Sequence, residues 1–84
     1  MTVNEAQEVT SRLQLAAFVE KLYRDVVAHP ERAENLSLEA YLEAMSGYLR
    51  DLPGFVRNSQ WPGSAEDASW SLFAAVLAGA VVYE

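Results

Sequence analysis

Apolar residues recur at helical spacing in three stretches of the chain, and the first lies between Ser11 and His29. Its apolar face consists of Leu15, Phe18, Val19, Leu22 and Val26. Thr10 or Ser11 is the N-cap, and Ser11 followed by Gln14 has the spacing of a capping box. Pro30 disfavours helical geometry in the residue before it, so this helix is predicted to end at His29.

The second amphipathic stretch follows a connection, residues 30–37, whose Pro-Glu start favours a short helical turn. Its apolar face comprises Leu38, Tyr41, Leu42, Met45, Leu49 and Leu52, opposite a polar stripe of Glu39, Glu43, Ser46 and Arg50. Ser37 is the predicted cap, and Pro53-Gly54 the predicted stop. Gly47 weakens a helix by about 1 kcal/mol relative to alanine, so it indicates a close backbone contact.

The third stretch, residues 70–83, contains no charged side chain. One apolar stripe holds Trp70, Phe73, Leu77 and Val81, and another holds Leu72, Val76 and Tyr83. A helix that is apolar all round must be surrounded by other structure. Its length of about 21 Å falls short of the ~30 Å of a bilayer core. We therefore predict a central, buried helix that begins within residues 64–69, capped by Ser64 or Asp67.

Two segments lack a clear helical pattern. Residues 1–9 are polar and acidic and are predicted to be a flexible leader. Residues 53–64 contain two Pro-Gly pairs, which predict turns around the apolar Phe55, Val56 and Trp61. The predicted fold is all-α: a compact three-helix bundle with the C-terminal helix central, or a four-helix bundle if residues 53–64 add a layer. Residues 10–84 then form a single helical domain.

The charge distribution narrows the classes of partner. The formal net charge is −6, and residues 58–84 hold Glu66, Asp67 and Glu84 but neither Lys nor Arg. This pattern disfavours nucleic acids and anionic membranes, which both require basic surfaces. It suits a basic protein partner, although ordinary solubility also explains it. The absence of cysteine and of a secretory signal predicts a cytoplasmic protein.

No residue pattern predicts catalysis, and we expect no catalytic residues, no cofactor and no metal site. Asp25 and His29 share a helix face, but zinc sites need three or four ligands, and His29 is the one histidine of a chain without cysteine. The pair Glu39 and Glu43 lies opposite the apolar face, so both carboxylates are expected to be exposed to solvent. They then lack the burial that a catalytic carboxylate pair requires. Nucleophile elbows and phosphate-binding glycine loops are also missing from the sequence. The chain is therefore not expected to be an enzyme.

Trp61 is the strongest candidate for a functional contact, because it lies in a loop between two predicted turns. It either covers the core or contacts a partner, with Arg57, Asn58 and Gln60 as the polar rim. Three functions fit the sequence. The first is a small interaction module that binds a basic protein, and the second is a homodimer that buries the third helix against its copy. The third is a small-ligand binder or enzyme with a pocket near Trp61.

Several short pieces of the chain together resemble a known family. They are Pro30-Glu31, Asn35-Leu36-Ser37-Leu38, Tyr41-Leu42-Glu43-Ala44-Met45, Ser69-Trp70 and Tyr83-Glu84. The combination resembles a family of short bacterial proteins classed as a domain of unknown function, over residues 10–84. Ala33 departs from the family pattern, which favours an aromatic residue there.

The resemblance implies a bacterial, cytoplasmic, helical domain without an assigned reaction or cofactor. Small acidic bacterial proteins of this type often act as immunity or antitoxin partners, which is an analogy by type. The resemblance also singles out Asn35, Trp70, Tyr83 and Glu84. Asn35 joins the predicted partner-binding residues Trp61, Asn58 and Arg57. The structural alternative is that Asn35 bonds local backbone, while Tyr83 and Glu84 hold the C-terminus against the second helix.

Overall fold

Five α-helices build the chain in a computed structural model that describes residues 3–84, with side chains from residue 4 on. The helices are α1 (Val3–Gln7), α2 (Arg12–Ala28), α3 (Leu38–Arg50), α4 (Leu52–Asn58) and α5 (Trp70–Val82). A 3-10 turn at Pro30–Arg32 connects α2 to the segment before α3. Within the described residues there is no strand, which confirms the all-α prediction. None of these helices is long and apolar enough to cross a membrane.

The predicted serine caps start α2 and α3. Ser11 Oγ accepts a hydrogen bond from the Gln14 backbone N–H, and Ser37 Oγ accepts one from the Ala40 N–H, both at 3.1 Å. Gln14 Oε1 in turn accepts from the backbone N–H of Thr10 at 2.7 Å, one residue earlier than in a regular capping box. These bonds satisfy N–H groups that lack helical partners, so the local sequence determines where both helices begin.

The start of α5 differs from the prediction. Its cap is Ser69, whose Oγ accepts from the Leu72 N–H at 3.0 Å. The predicted caps, Ser64 and Asp67, instead bond to each other: the Ser64 N–H donates to Asp67 Oδ2 and the Asp67 N–H donates to the Ser64 carbonyl. Both residues close a separate turn, so neither can cap α5.

Residues 53–64 were predicted to be irregular, and this was wrong for residues 53–58, which are helical. After α3 ends at Arg50, the chain turns at Asp51 and enters α4, with Pro53 in the first turn of the new helix. Proline is tolerated there because first-turn N–H groups have no helical partner. Pro53 therefore ends one helix and helps to begin the next, and Leu52, which we placed on the apolar face of α3, is buried at the start of α4.

The C-terminal helix is central, as predicted. Helices α1, α2 and α3 all pack against α5. Ala74 and Ala80 are fully buried on α5, and such small residues let neighbouring helices approach closely. The core cluster contains Ala6, Val9, Phe18, Leu52, Trp61, Leu72, Ala74, Ala75 and Val76.

Most of the segment predicted as a flexible leader is structured. From Val3 to Gln7 the chain is helical, and Ala6 and Val9 are both buried in the core cluster against α5. Glu5 also forms an ion pair with Lys21 of α2 at 2.9 Å, and the pKa of Lys21 is raised because its ammonium donates to that carboxylate. The few apolar residues of this segment are separated by polar ones, so their periodic signal was too weak to predict a helix. Residues 1 and 2 lie outside the described part of the chain.

Parts of two apolar stripes that were predicted to be buried face outward. On α3, Leu42 and Leu49 are 54% and 50% exposed, and on α5 Trp70 and Phe73 are 44% and 49% exposed. The α3 residues that face inward are Tyr41, Ala44 and Tyr48, while Met45 is partly buried at the edge of the core. The hydroxyl of Tyr41 donates to the Leu77 carbonyl at 2.8 Å. The predicted face of α3 is therefore divided, with Tyr41 directed toward α5 and Leu42 and Leu49 directed outward.

Candidate functional site

An open apolar groove lies between α3 and the first turns of α5, with a volume of about 810 Å³. Its floor is made by buried residues, namely Val9, Leu52, Leu72 and Val76. Its walls are made by Met45, Leu49, Trp70 and Phe73. The floor belongs to the core, so the shape of the groove is fixed by the same packing that stabilises the fold.

The walls of the groove are the outward stripes of α3 and α5. Met45 and Leu49 are four residues apart and share one face of α3, and Trp70 and Phe73 are three residues apart and share one face of α5. Single exposed apolar side chains are ordinary, but a contiguous patch marks a binding surface. Because these side chains flank one groove on two neighbouring helices, they form such a patch.

The rim of the groove is polar and carries negative charge. Thr10, Ser69 and Ser71 contribute hydroxyl groups, and Glu66 contributes a carboxylate. Among the residues that the structure describes, no Lys or Arg lines the groove. Residues 58–84, which supply most of the lining, contain no basic side chain, so this segment offers acidic groups without compensating cations.

The structure places Trp61 in the core. It is 7% exposed, and its ring lies against that of Phe55 with centroids 5.5 Å apart. Its backbone N–H donates to the Val56 carbonyl at 3.0 Å. Of the two roles predicted for Trp61, covering the core or contacting a partner, this geometry supports the first. Arg57 and Asn58, the predicted rim, are exposed on α4 and do not line the groove.

Asn35 closes the C-terminal end of α5. Its side-chain Nδ2 donates to the Ala80 carbonyl at 3.0 Å and to the Tyr83 carbonyl at 2.8 Å. The backbone N–H groups of Glu34 and Asn35 both donate to the Val81 carbonyl at 3.0 Å. The last carbonyls of a helix have no partner within the helix, so this segment acts as its cap. The prediction that Asn35 bonds local backbone was wrong, since its partners lie at the far end of the chain.

Tyr83 anchors the C-terminus on α3, as the sequence analysis suggested. Its ring meets the ring of Tyr48 edge-on at 5.4 Å, and its hydroxyl donates to the carboxylate of Asp51. A Cβ atom added at Gly47 would lie 3.0 Å from Tyr83 Cε2, which confirms the close contact predicted at this glycine. Glu84 is exposed.

The polar residues considered for chemistry are dispersed. Nδ1 of His29 lies 3.3 Å from Glu31 Oε1, while Glu39 and Glu43 are exposed. Within the described residues, no three His, Asp or Glu side chains are grouped to hold a metal ion. The clearest effects of burial are on Tyr41 and Tyr48, whose pKa values are raised because desolvation disfavours the phenolate.

Residues 11–84 match the model of a family described as "Family of unknown function (DUF7660)". The chain belongs to DUF7660. Comparison with curated proteins gave no match, and comparison with solved structures gave none either. The prediction that the chain belongs to a family of unknown function is thereby confirmed. The DUF7660 match includes α2–α5 and both walls of the groove, whereas α1 and the floor residue Val9 precede it.

Asn35 is expected to stabilise the DUF7660 fold rather than to bind a partner. Replacing Asn35 with alanine leaves the Ala80 and Tyr83 carbonyls without their donor, so we expect the free energy of unfolding to fall by about 1–3 kcal/mol. Urea unfolding followed by circular dichroism measures this loss. Asn58→Ala is the matched control, and its effect on an exposed site should stay within about 0.5 kcal/mol. Equal stability of the two variants would contradict the capping role.

Proposed function

We propose that this protein is a small interaction module that binds an amphipathic helix of a basic protein partner in the groove between α3 and α5. The observation that carries the proposal is the pair of outward apolar stripes, with Leu49 on one wall and Trp70 and Phe73 on the other. Immunity and antitoxin proteins are functional analogues of such a module. The proposal involves no catalytic step, cofactor or metal ion.

The shape of the groove supports a helix as the occupant. Helix-in-groove recognition places the apolar face of an amphipathic helix in a hydrophobic channel between helices. The groove has apolar walls on two helices and a polar rim of hydroxyl groups, which is the usual arrangement of core and rim in a protein interface. Trp70 supplies an aromatic side chain of the kind that dominates binding energy.

Charge supports a basic partner over a second copy of the chain. Glu66 lies at the rim and no cation lines the groove among the described residues, so Lys or Arg beside the apolar face of the partner would be attracted. A two-fold dimer would place the same surface of each copy against the other. Each copy has a net charge of −6, so the approach would bring like charges together. The homodimer is therefore the alternative that the experiment must separate.

Two helical peptides with the same heptad pattern, one of Leu and Lys and one of Leu and Glu, provide a direct test by tryptophan fluorescence. We expect the Leu/Lys peptide to bind and Phe73→Glu to weaken its binding at least about tenfold, or ~1.4 kcal/mol. The matched control is Leu13→Glu, because Leu13 is 66% exposed on α2 and lies outside the groove. Both variants add the same charge, so attraction by charge alone would strengthen binding in both.

Equal binding of the Leu/Lys peptide to both variants would contradict the groove as its site. The homodimer alternative predicts a doubled mass in light scattering at micromolar concentration, and a return to the monomer mass in Phe73→Glu. Circular dichroism of both variants verifies that the fold is retained. Phe73 is half-exposed, so its replacement leaves the core residues Leu72 and Val76 in place.

A further inference from the structure

A second cavity, of about 330 Å³, lies between the last turns of α2 and the C-terminal half of α5. No residue lines both this cavity and the groove. Ala75 and Ala78 of α5 line it with small side chains, and Gly79 lines it beside the ring of Tyr48. The volume is within the range of sites that bind small molecules.

The lining divides into an apolar interior and a charged end. Leu22 and Ala75 are buried, and Val26, Phe55 and Val82 continue the apolar surface. At the other end Asp25 and His29 are half-buried and Arg32 is exposed. Small-molecule sites commonly combine mostly apolar walls with a few polar groups that fix orientation.

The two charged side chains at this end are not paired with each other. Within the described residues, neither the Asp25 carboxylate nor the Arg32 guanidinium takes part in a hydrogen bond or an ion pair. His29 uses Nδ1 toward Glu31, which leaves Nε2 available. A carboxylate and a guanidinium that line the same cavity without meeting suit a molecule that carries both charges.

We propose that this cavity binds a free amino acid with a leucine-sized or phenylalanine-sized apolar side chain. The side chain of the ligand occupies the apolar interior, its ammonium group pairs with Asp25, and its carboxylate pairs with Arg32. Guanidinium groups suit carboxylates because two N–H donors match two oxygens. The site is independent of the proposed helix-binding groove, so one can fail while the other stands.

Calorimetric titration with three related compounds tests the proposal. L-leucine carries both charges, 3-methylbutan-1-amine carries the ammonium alone, and 4-methylpentanoate carries the carboxylate alone. We expect L-leucine to bind at least about tenfold more tightly than either singly charged compound. Both amino acids are titrated to concentrations well above ~1 mM, the upper end of ordinary metabolite affinities. If neither L-leucine nor L-phenylalanine shows saturable binding over that range, the proposal is wrong.

Charge-neutralising variants assign each contact. In Asp25→Asn the preference for L-leucine over 4-methylpentanoate should disappear, because the ammonium has lost its partner. In Arg32→Gln the preference for L-leucine over 3-methylbutan-1-amine should disappear instead. Arg24→Gln and Asp67→Asn are the matched controls, since both residues are exposed and line neither cavity. Retention of both preferences in Asp25→Asn and Arg32→Gln would overturn the assignment.

A variant of the groove separates this proposal from the previous one. Phe73→Glu should bind L-leucine as the unmodified protein does, because Phe73 does not line the amino-acid cavity. Ala78→Leu, which places a leucine-sized side chain in the cavity, should abolish binding of L-leucine and leave binding of the Leu/Lys peptide unchanged. Loss of L-leucine binding in Phe73→Glu would place the ligand in the groove and would refute this site.

Discussion

Replacing Trp61 with alanine is expected to lower the free energy of unfolding by about 3–5 kcal/mol. The ring is 7% exposed, it packs against Phe55, and it belongs to the core cluster. Its removal leaves a cavity that the surrounding side chains can fill only in part. A domain of 84 residues should then melt at least about 12 °C lower.

The second tryptophan of the chain is the matched control for this experiment. Trp70 is 44% exposed on a wall of the groove, so Trp70→Ala makes the same chemical change with less loss of buried area. We expect it to lower stability by no more than about 1.5 kcal/mol. Thermal unfolding followed by circular dichroism compares the two variants. If Trp61→Ala were as stable as Trp70→Ala, Trp61 would not be a core residue and its predicted contact with a partner would regain support.

The second large effect is expected at Gly79. A Cβ atom added there would lie 2.5 Å from both Cε2 and Cζ of the Tyr48 ring, closer than atoms can approach without displacement. We therefore expect Gly79→Val to lower the free energy of unfolding by about 2 kcal/mol or more, since overpacking of this kind typically costs ~1–3 kcal/mol. Urea unfolding measures the loss. The double variant Gly79→Val/Tyr48→Ala should lose less stability than the sum of the losses in the two single variants, because the obstructing ring is gone.

The other two helical glycines are controls in one series of alanine substitutions. At Gly54 the nearest atom to an added Cβ is the flexible Arg57 side chain at 3.8 Å, so Gly54→Ala should gain up to about 1 kcal/mol from helix propensity. At Gly47 the distance to the Tyr83 ring is 3.0 Å, which predicts an intermediate result. Gly79→Ala should be the least stable of the three. A reversed order would show that helix propensity outweighs contacts at these positions.

The sequence predicted best what depends on neighbouring residues. Ser11 and Ser37 cap the helices they precede, and Pro30 ends α2, because each effect requires only a few adjacent positions. The close contact at Gly47 was also predicted, because a glycine inside a helix lowers its stability and therefore indicates a position where a side chain would not fit. Ser69 was missed as the cap of α5 because three candidates within six residues compete, and hydrogen bonds in the preceding turn decide among them.

What the sequence could not predict is which apolar face has a partner within the chain. Leu49, Trp70 and Phe73 were all recognised as members of apolar stripes, but they were assigned to the core. Hydrophobic spacing identifies an apolar face, but it does not show whether another helix packs against that face. Tyr41 and Tyr48 decide the outcome through contacts with Leu77 and Gly79, which belong to a helix far along the chain. The groove is therefore visible only once α3 and α5 are placed together.

The central position of α5 has a consequence for biosynthesis. Helices α1, α2 and α3 all pack on a helix that leaves the ribosome after them, so none of them can complete its packing while α5 is still being translated. The contact of α1 with α5 joins distant parts of the chain, and such pairings fold more slowly than contacts between neighbours. The nascent chain therefore exposes the apolar faces of α1, α2 and α3 to solvent until α5 emerges.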